Sequence, residues 1–349
     1  MTSRNWAAKT PAVLMLSLVL SACGGGGGGS DANNTGTTNT GSSGGTSTTV
    51  AALTRANYAE AASIAVNPVG ELLNLDQVTG SLTSGVEVKG TQLGLGDATF
   101  AIYSRFRARN GQFVTGAVYT ENCSGGGSIT INENIASEDR VAVGDSASVT
   151  AANCKESGLP AFSGRLSLKV TAVSGDPVNS TRYSMTLAAL YENFTFINGS
   201  ESIAINGDIA ISASQDGSST VNVGMSGNAL GFSVVQNGAT TASYQISNYS
   251  FSGTDANGIV SLSGKYSMTG NSAKLGGQYA FSVETLQPIV VGGSSDYPSS
   301  GVLIVRGTPA SVTVTAINSG SVRLDYSENG DGTVSATRTL AWTELDTLN

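Results

Sequence analysis

From Gly80 onward the chain alternates apolar and small polar side chains with a period of two. Leu166, Leu168, Val170 and Ala172 are interleaved with Ser167, Lys169 and Thr171. Ile203, Ile205, Ile209 and Ile211 keep one phase. So do Val260, Leu262, Tyr266 and Met268, and then Leu275, Tyr279, Phe281 and Val283. Successive side chains on a strand point to opposite faces, so this pattern specifies antiparallel strands with one face in a core and one in water. Turn dipeptides punctuate the runs: Asn110-Gly111, Asn198-Gly199, Asp216-Gly217, Asn237-Gly238, Asn257-Gly258 and Asp331-Gly332. Tyr244 and Ile246 fall out of phase with Tyr249 and Phe251, which predicts a bulge near Asn248. The fold expected is mainly β, a large antiparallel up-and-down meander of a dozen or more strands. So many strands do not stay flat, and a curved sheet, half-barrel, barrel or sandwich follows.

One helix is expected, over 54–75. Tyr58, Ala61, Ala62 and Ala65 recur at helical spacing, Thr54 stands where a cap belongs, and Pro68 would kink or restart the helix before Leu72, Leu73 and Leu75. An apolar helix ahead of a curved sheet is a natural plug for its hollow side.

The first 50 residues carry an address. Arg4 to Lys9 is a weakly basic head, and Pro11 to Leu20 is an apolar run too short to span a bilayer and of the length of a signal-peptide core. It leads into Leu20-Ser21-Ala22-Cys23, which resembles the lipobox of bacterial lipoproteins. The resemblance implies a signal peptide over 1–22, cleavage before Cys23, acylation of Cys23 and, with Gly24 rather than Asp next, sorting to the outer membrane. Each buried methylene of such an anchor contributes roughly 0.8 kcal/mol. The alternative is an ordinary secretory signal with a chance cysteine. Residues 24–49 are Gly, Ser, Thr and Asn almost throughout and hold no aliphatic side chain larger than Ala32. Such a stretch buries no core, so 23–49 reads as a lipidated cysteine plus disordered linker, with a reach of about 25–30 Å. Residues 50–349 form the β-rich body, with a possible joint near 288–300.

Export would place the two remaining cysteines in an oxidising compartment. Ser128 to Asn132 and Ala147 to Ala151 read as paired strands, with Cys123 just before the first and Cys154 just after the second. Antiparallel pairing brings those ends together, so a Cys123–Cys154 disulfide is expected in preference to two free thiols. In the chain-entropy treatment it contributes roughly 3–4 kcal/mol.

Composition closes several functional classes. The chain holds no His, so no Ser-His-Asp or Cys-His machinery and no His-bearing zinc site is available. With Arg4 and Lys9 removed, 15 basic residues face 25 acidic ones, a balance that argues against nucleic acid as a partner. The apolar fraction of 40% is enough for a real core.

Three stretches together resemble a group of uncharacterised proteobacterial lipoproteins. They are Cys123 with Gly125-Gly126-Gly127, Gly144-Asp145, Asn153-Cys154 and Phe162-Ser163-Gly164; the strand motif Ile205-Asn206-Gly207; and the end segment Tyr297-Pro298-x-x-Gly301, Asn329-Gly330-Asp331-Gly332 and Trp342. The resemblance covers most of 120–349. It implies the architecture and the address and carries no chemistry.

Three features are candidate sites. Arg105, Arg107 and Arg109 share one face of one strand with Tyr103, and would grip an anionic group such as lipid phosphate or a sugar acid. A solvated strand face is the plainer reading. Ser327 to Thr333 resembles an acidic calcium loop, but Ser327 stands where the first Asp belongs and Arg338 where the last Glu belongs, so a hairpin turn explains it better and no metal is expected. Glu133 with Glu138 and Asp139, or Glu192 with Glu201, are the available carboxylate pairs for a glycosidase, with nothing in their spacing to set the separation such chemistry needs. A non-catalytic reading follows, with no cofactor: an envelope lipoprotein acting as a structural, adhesive or assembly module, with lipid, glycolipid or an envelope protein as partner. The alternatives are a carrier or sensor of an apolar ligand in the hollow of a curved sheet, and a carbohydrate-active enzyme. A transmembrane barrel shares the alternation, but aromatic residues make up only 6% of the chain, thin for two interfacial girdles.

Overall fold

The computed structural model describes residues 50–72, 99, 118–136, 140–155, 161–177, 180–292, 295 and 297–348. Thr48–Asn349 is one compact unit and Met1–Ser47 a separate one. Cys23 and the Arg105, Arg107 and Arg109 strand therefore lie outside the described residues.

Among the described residues fourteen strands form one sheet in strict chain order, each antiparallel to the next. The first three are short: β1 (Val118–Asn122), β2 (Ser128–Asn134) and β3 (Ser146–Cys154). The middle seven are long: β4 (Ala161–Gly175), β5 (Arg182–Asn198), β6 (Glu201–Asp216), β7 (Thr220–Gln236), β8 (Ala239–Ala256), β9 (Ile259–Ser272) and β10 (Gly277–Gly292). The last four are β11 (Ser300–Arg306), β12 (Ser311–Asn318), β13 (Ser321–Ser327) and β14 (Ala336–Ala341). Among the described residues β1 and β14 do not pair, so the meander is an open sheet rather than a barrel. Residues 288–300, the possible joint, fall where β10 hands over to β11, and the two strands pair there up to Val290↔Ser300.

The period-two reading holds for most of these runs, but Ile203 is exposed near the start of its strand and Ala172 is exposed just past a register slip between Val170 and Ala172. Leu166, Leu168 and Val170, then Ile205, Ile209 and Ile211, then Leu262, Tyr266 and Met268, and Tyr279, Phe281 and Val283 are all buried on one face. Two of the hairpins turn on Asn237-Gly238 and Asn257-Gly258, where all four residues have φ between 52° and 80°, the left-handed pair that a two-residue turn needs. Asn198-Gly199 is displaced by one residue. Asn198 ends β5 and pairs with Glu201, and Gly199 and Ser200 make the turn.

The expected bulge at Asn248 is present, as a slip between Ser247 and Ser250 with Asn248 at φ 49°. It is one of a series. The ladder also slips at Ala151/Cys154, Ser163/Arg165, Tyr191/Phe194 and Gly207/Ala210, with Asn153 and Asn193 left-handed as well. These positions neighbour one another: Ala151 pairs with Gly164, Tyr191 with Gly207, and Gly207 with Leu230. A line of bulges thus crosses the sheet from β3 to β8. Each bends its strand and raises the local twist, so the line is where the sheet curves. The amides released there find partners. Asn193 N donates to Asn206 Oδ1 at 2.6 Å, and Asn228 N and Ala229 N donate to the Asp208 carboxylate at 3.1 and 3.3 Å. Gly207 is required at this line: its φ is +129°, and a Cβ there would sit 2.0 Å from the Ala229 carbonyl oxygen.

The expected helix runs as α1, Tyr58–Leu72, continuous through Pro68. Thr54 does not cap it. Asn57 holds the cap position, its carbonyl taking the Ala61 amide at 3.0 Å while its side chain ties back to Thr54 N and Ala52 O. Buried Tyr58, Ala61, Ala62 and Ala65 face the sheet, with Tyr58 against the Tyr326 ring and the Tyr266 hydroxyl donating to the Ala65 carbonyl. A short α2, Trp342–Asp346, closes the end. Ser63 Oγ donates to its Leu345 carbonyl at 2.7 Å, and Trp342 stacks on Tyr297 at 6.1 Å. The helix therefore lies on the apolar face, as a plug would.

Cys123 and Cys154 are joined, with Cα atoms 5.4 Å apart. The β2–β3 pairing that places them runs from Ser128↔Ala152 to Asn134↔Ser146, the expected hairpin.

Candidate functional site

The two faces of the sheet differ in what they can offer a ligand. Among the described residues the apolar face is closely packed. Tyr191, Tyr249, Phe194, Leu187 and Leu230 are fully enclosed, and the two tyrosine hydroxyls among them have partners: Tyr191 with Thr99, and Tyr249 with the Asp208 carbonyl at 2.5 Å. Burial raises the pKa of Tyr191, Tyr249 and Tyr266 above the ordinary phenol value and pushes Tyr279 up to about 12. All four are neutral at physiological pH, and Tyr249 and Tyr266 donate to backbone carbonyls. On this face a cavity between Phe251, Leu262, Tyr266, Val283 and Leu303 measures about 10 Å³, room for one water at most.

The wet face carries an open groove of about 670 Å³ across β6 to β10. Two cross-strand rows line it. The first runs Ala204, Ser233, Ser243, Asn271, Gln278, and the second Asn206, Gly231, Gln245, Thr269, Ala280; in each row every residue is the ladder partner of the next. Rows on neighbouring strands stand about 4.8 Å apart, so five strands give a trough about 19 Å long. It adjoins the bulge line at Asn206-Gly207, and Val50 borders it where the Ala51 amide bonds to the Gln278 carbonyl of β10 at 2.6 Å.

The lining mixes these rows with Val50 and with Phe232, Tyr244, Gly270 and Tyr279, the ladder row between them. None of the residues lining the groove is charged. Among the described residues, the side chains of Ser233, Ser243, Gln245, Thr269, Asn271 and Gln278 make no hydrogen bond to protein, while Asn206 Oδ1 holds the Asn193 amide. Three primary amides and three hydroxyls thus present donors and acceptors together to whatever lies in the groove.

Of the carboxylate pairs available in the sequence, Glu133, Glu192 and Glu201 fall within the described residues. Glu133 is buried and accepts the Tyr119 hydroxyl at 2.6 Å; its companions Glu138 and Asp139 lie outside the described residues. Glu192 is exposed and pairs with Arg165 at 3.4 Å, while Glu201 starts β6 beyond it. The Ser327 to Thr333 loop joins β13 to β14, and its acid is engaged internally: Asp331 Oδ1 accepts Thr333 N at 2.8 Å and Ser327 Oγ at 3.2 Å. The Thr333 amide is the main cause holding the Asp331 carboxyl below its usual range. This is the hairpin reading. Among the described residues no group of three His, Cys, Asp or Glu side chains is placed to hold a metal.

Sequence reasoning passed over the groove. Its signal was present: the polar phase of β7 to β10 around 231–245 and 269–280 holds amides, hydroxyls and small residues, with Lys274 between the strands as the one ionisable group. Compared with family models, with curated proteins and with solved structures, the chain matches none.

Proposed function

We propose that this chain is a non-catalytic lipoprotein of the bacterial cell envelope, anchored in the outer membrane by acylated Cys23 and presenting its β body on the 24–49 linker as an adhesive or assembly module. The observation that carries the reading is the division of labour between the faces. The apolar face is occupied by the body's own core and helix, while the wet face offers a groove of uncharged, unengaged amides and hydroxyls. An apolar-ligand carrier needs a hollow of several hundred cubic ångströms on the filled face, and the described cavity there is about 10 Å³.

The test combines fractionation and attachment. Wild-type protein should sediment with outer membrane, Cys23→Ser protein should not, and cells lacking the gene should lose attachment to a surface or to one another that the wild-type gene restores and Cys23→Ser does not. Cys23→Ser protein that still sediments with membrane, or attachment unaffected by deletion, would overturn the reading.

A further inference from the structure

We propose that the wet-face groove of β6 to β10 binds a neutral oligosaccharide, an inference that rests on the adhesive reading above and names its ligand class. Three observations converge. The first is charge. The lining is free of Lys, Arg, Asp and Glu, so nothing there pairs with a phosphate, a sugar acid or a cationic peptide. The second is donor and acceptor content. Gln245, Asn271 and Gln278 each carry a carbonyl and an NH₂ group, Ser233, Ser243 and Thr269 each a hydroxyl, and none of the six is engaged within the described protein. A sugar ring presents hydroxyls that both donate and accept, and mixed amide and hydroxyl rows match that in either direction.

The third is shape. A trough about 19 Å long and open along its top takes an extended chain of several rings, and the strand spacing of about 4.8 Å is close to the repeat of an extended chain of pyranoses. Ala204, Gly231 and Ala280 leave the floor low, so a ring can approach the sheet between the amide arms. Other occupants fit less well. Phe232, Tyr244 and Tyr279 also line the groove, but a lipid chain lying there would leave the amides and hydroxyls of both rows without partners. A protein strand pairs with a sheet edge, and here both edges of each floor strand are already paired over most of the groove.

Gly231 makes the proposal decisive. It has no left-handed backbone, and a Cβ there meets only the Asn206 carbonyl oxygen, at 3.7 Å. A large side chain at 231 therefore projects into the groove without disturbing the sheet. The experiment uses the mature acylated protein in a zwitterionic detergent, since glycoside detergents would compete. Its probes are gluco-, manno- and N-acetylglucosamine oligosaccharides of four to six rings, with oligogalacturonate as the acidic control, measured by saturation-transfer NMR and calorimetry. At least one neutral oligosaccharide should bind in preference to the acidic control. Gly231→Trp should abolish that binding with its melting temperature kept, and the pair Gln245→Ala/Asn271→Ala should weaken it by about tenfold or more. Binding of no neutral oligosaccharide, preference for the acidic one, or binding that survives a folded Gly231→Trp would each overturn the proposal. If the sugars fail while cells still lose attachment on deletion of the gene, the ligand class is wrong and the adhesive reading stands.

Discussion

Two glycines on neighbouring strands should respond in opposite ways to the same substitution. Gly207 on β6 and Gly231 on β7 lie one ladder position apart, since Gly231 pairs with Asn206. At 207 the backbone has φ +129°, a region L side chains avoid, and a Cβ would lie 2.0 Å from the Ala229 oxygen and 2.9 Å from Leu230 Cα. Backbone strain of this kind costs about 1–3 kcal/mol. Separating β6 from β7 to relieve the overlap would also loosen the hydrogen bonds that Asp208 makes to the Asn228 and Ala229 amides. Gly207→Ala should therefore destabilise by about 3 kcal/mol or more, lowering the melting temperature by roughly 6–12 °C at about 2–4 °C per kcal/mol for a body of this size. At 231 the same methyl makes only an ordinary contact with the Asn206 carbonyl oxygen at 3.7 Å, and loss of glycine's freedom in the unfolded chain should give a gain of about 0.4–1 kcal/mol. Calorimetry on both variants decides the matter. Equal effects, or a harmless Gly207→Ala, would refute the claim that the bulge line requires glycine.

Reduction of Cys123–Cys154, 31 residues apart, should remove roughly 3–4 kcal/mol, felt most in β1 to β3; amide exchange should quicken there and change little in β11 to β13. Asp145 is buried and accepts the Ala136 and Ala142 amides at 3.0 and 2.9 Å, so Asp145→Ala should cost about 3 kcal/mol in a denaturant melt by orphaning both. The buried tyrosines give the pH dependence its sign. Their folded pKa values are raised, so their contribution is complete below the ordinary phenol value near 10 and is lost as pH climbs past it; for Tyr279 the loss should span pH 10 to about 12. Phenolate absorbance should rise late and together with unfolding, and early ionisation of all eleven tyrosines in a still-folded protein would contradict this.

The meander was legible because a period of two leaves little choice of face, and because Asn-Gly pairs at 237 and 257 dictate tight turns. The Cys123–Cys154 link was legible because the two cysteines flank a recognisable hairpin. The bulge line was mostly hidden. Asn153, Asn193 and Gly207 look like ordinary wet-face residues, and only a phase slip such as that at Asn248 betrays a bulge in sequence; Gly164 and Gly207 inside strands were the available hint. The groove was hidden for a different reason. Its rows join residues from five strands, and Ala204, Ser233, Ser243, Asn271 and Gln278 become neighbours only once every register is set. The cap moved from Thr54 to Asn57 because the amide side chain of Asn57 also closes the preceding turn onto Ala52 and Thr54.

Native mass spectrometry of the mature protein, released gently from membrane, reads directly which face of the sheet is open to a ligand. The expected spectrum shows the polypeptide beginning at Cys23 with covalent acyl chains and no other apolar molecule. A lipid held without a bond in one-to-one ratio and shed on mild activation would mean that the apolar face encloses a ligand, and would contradict the account.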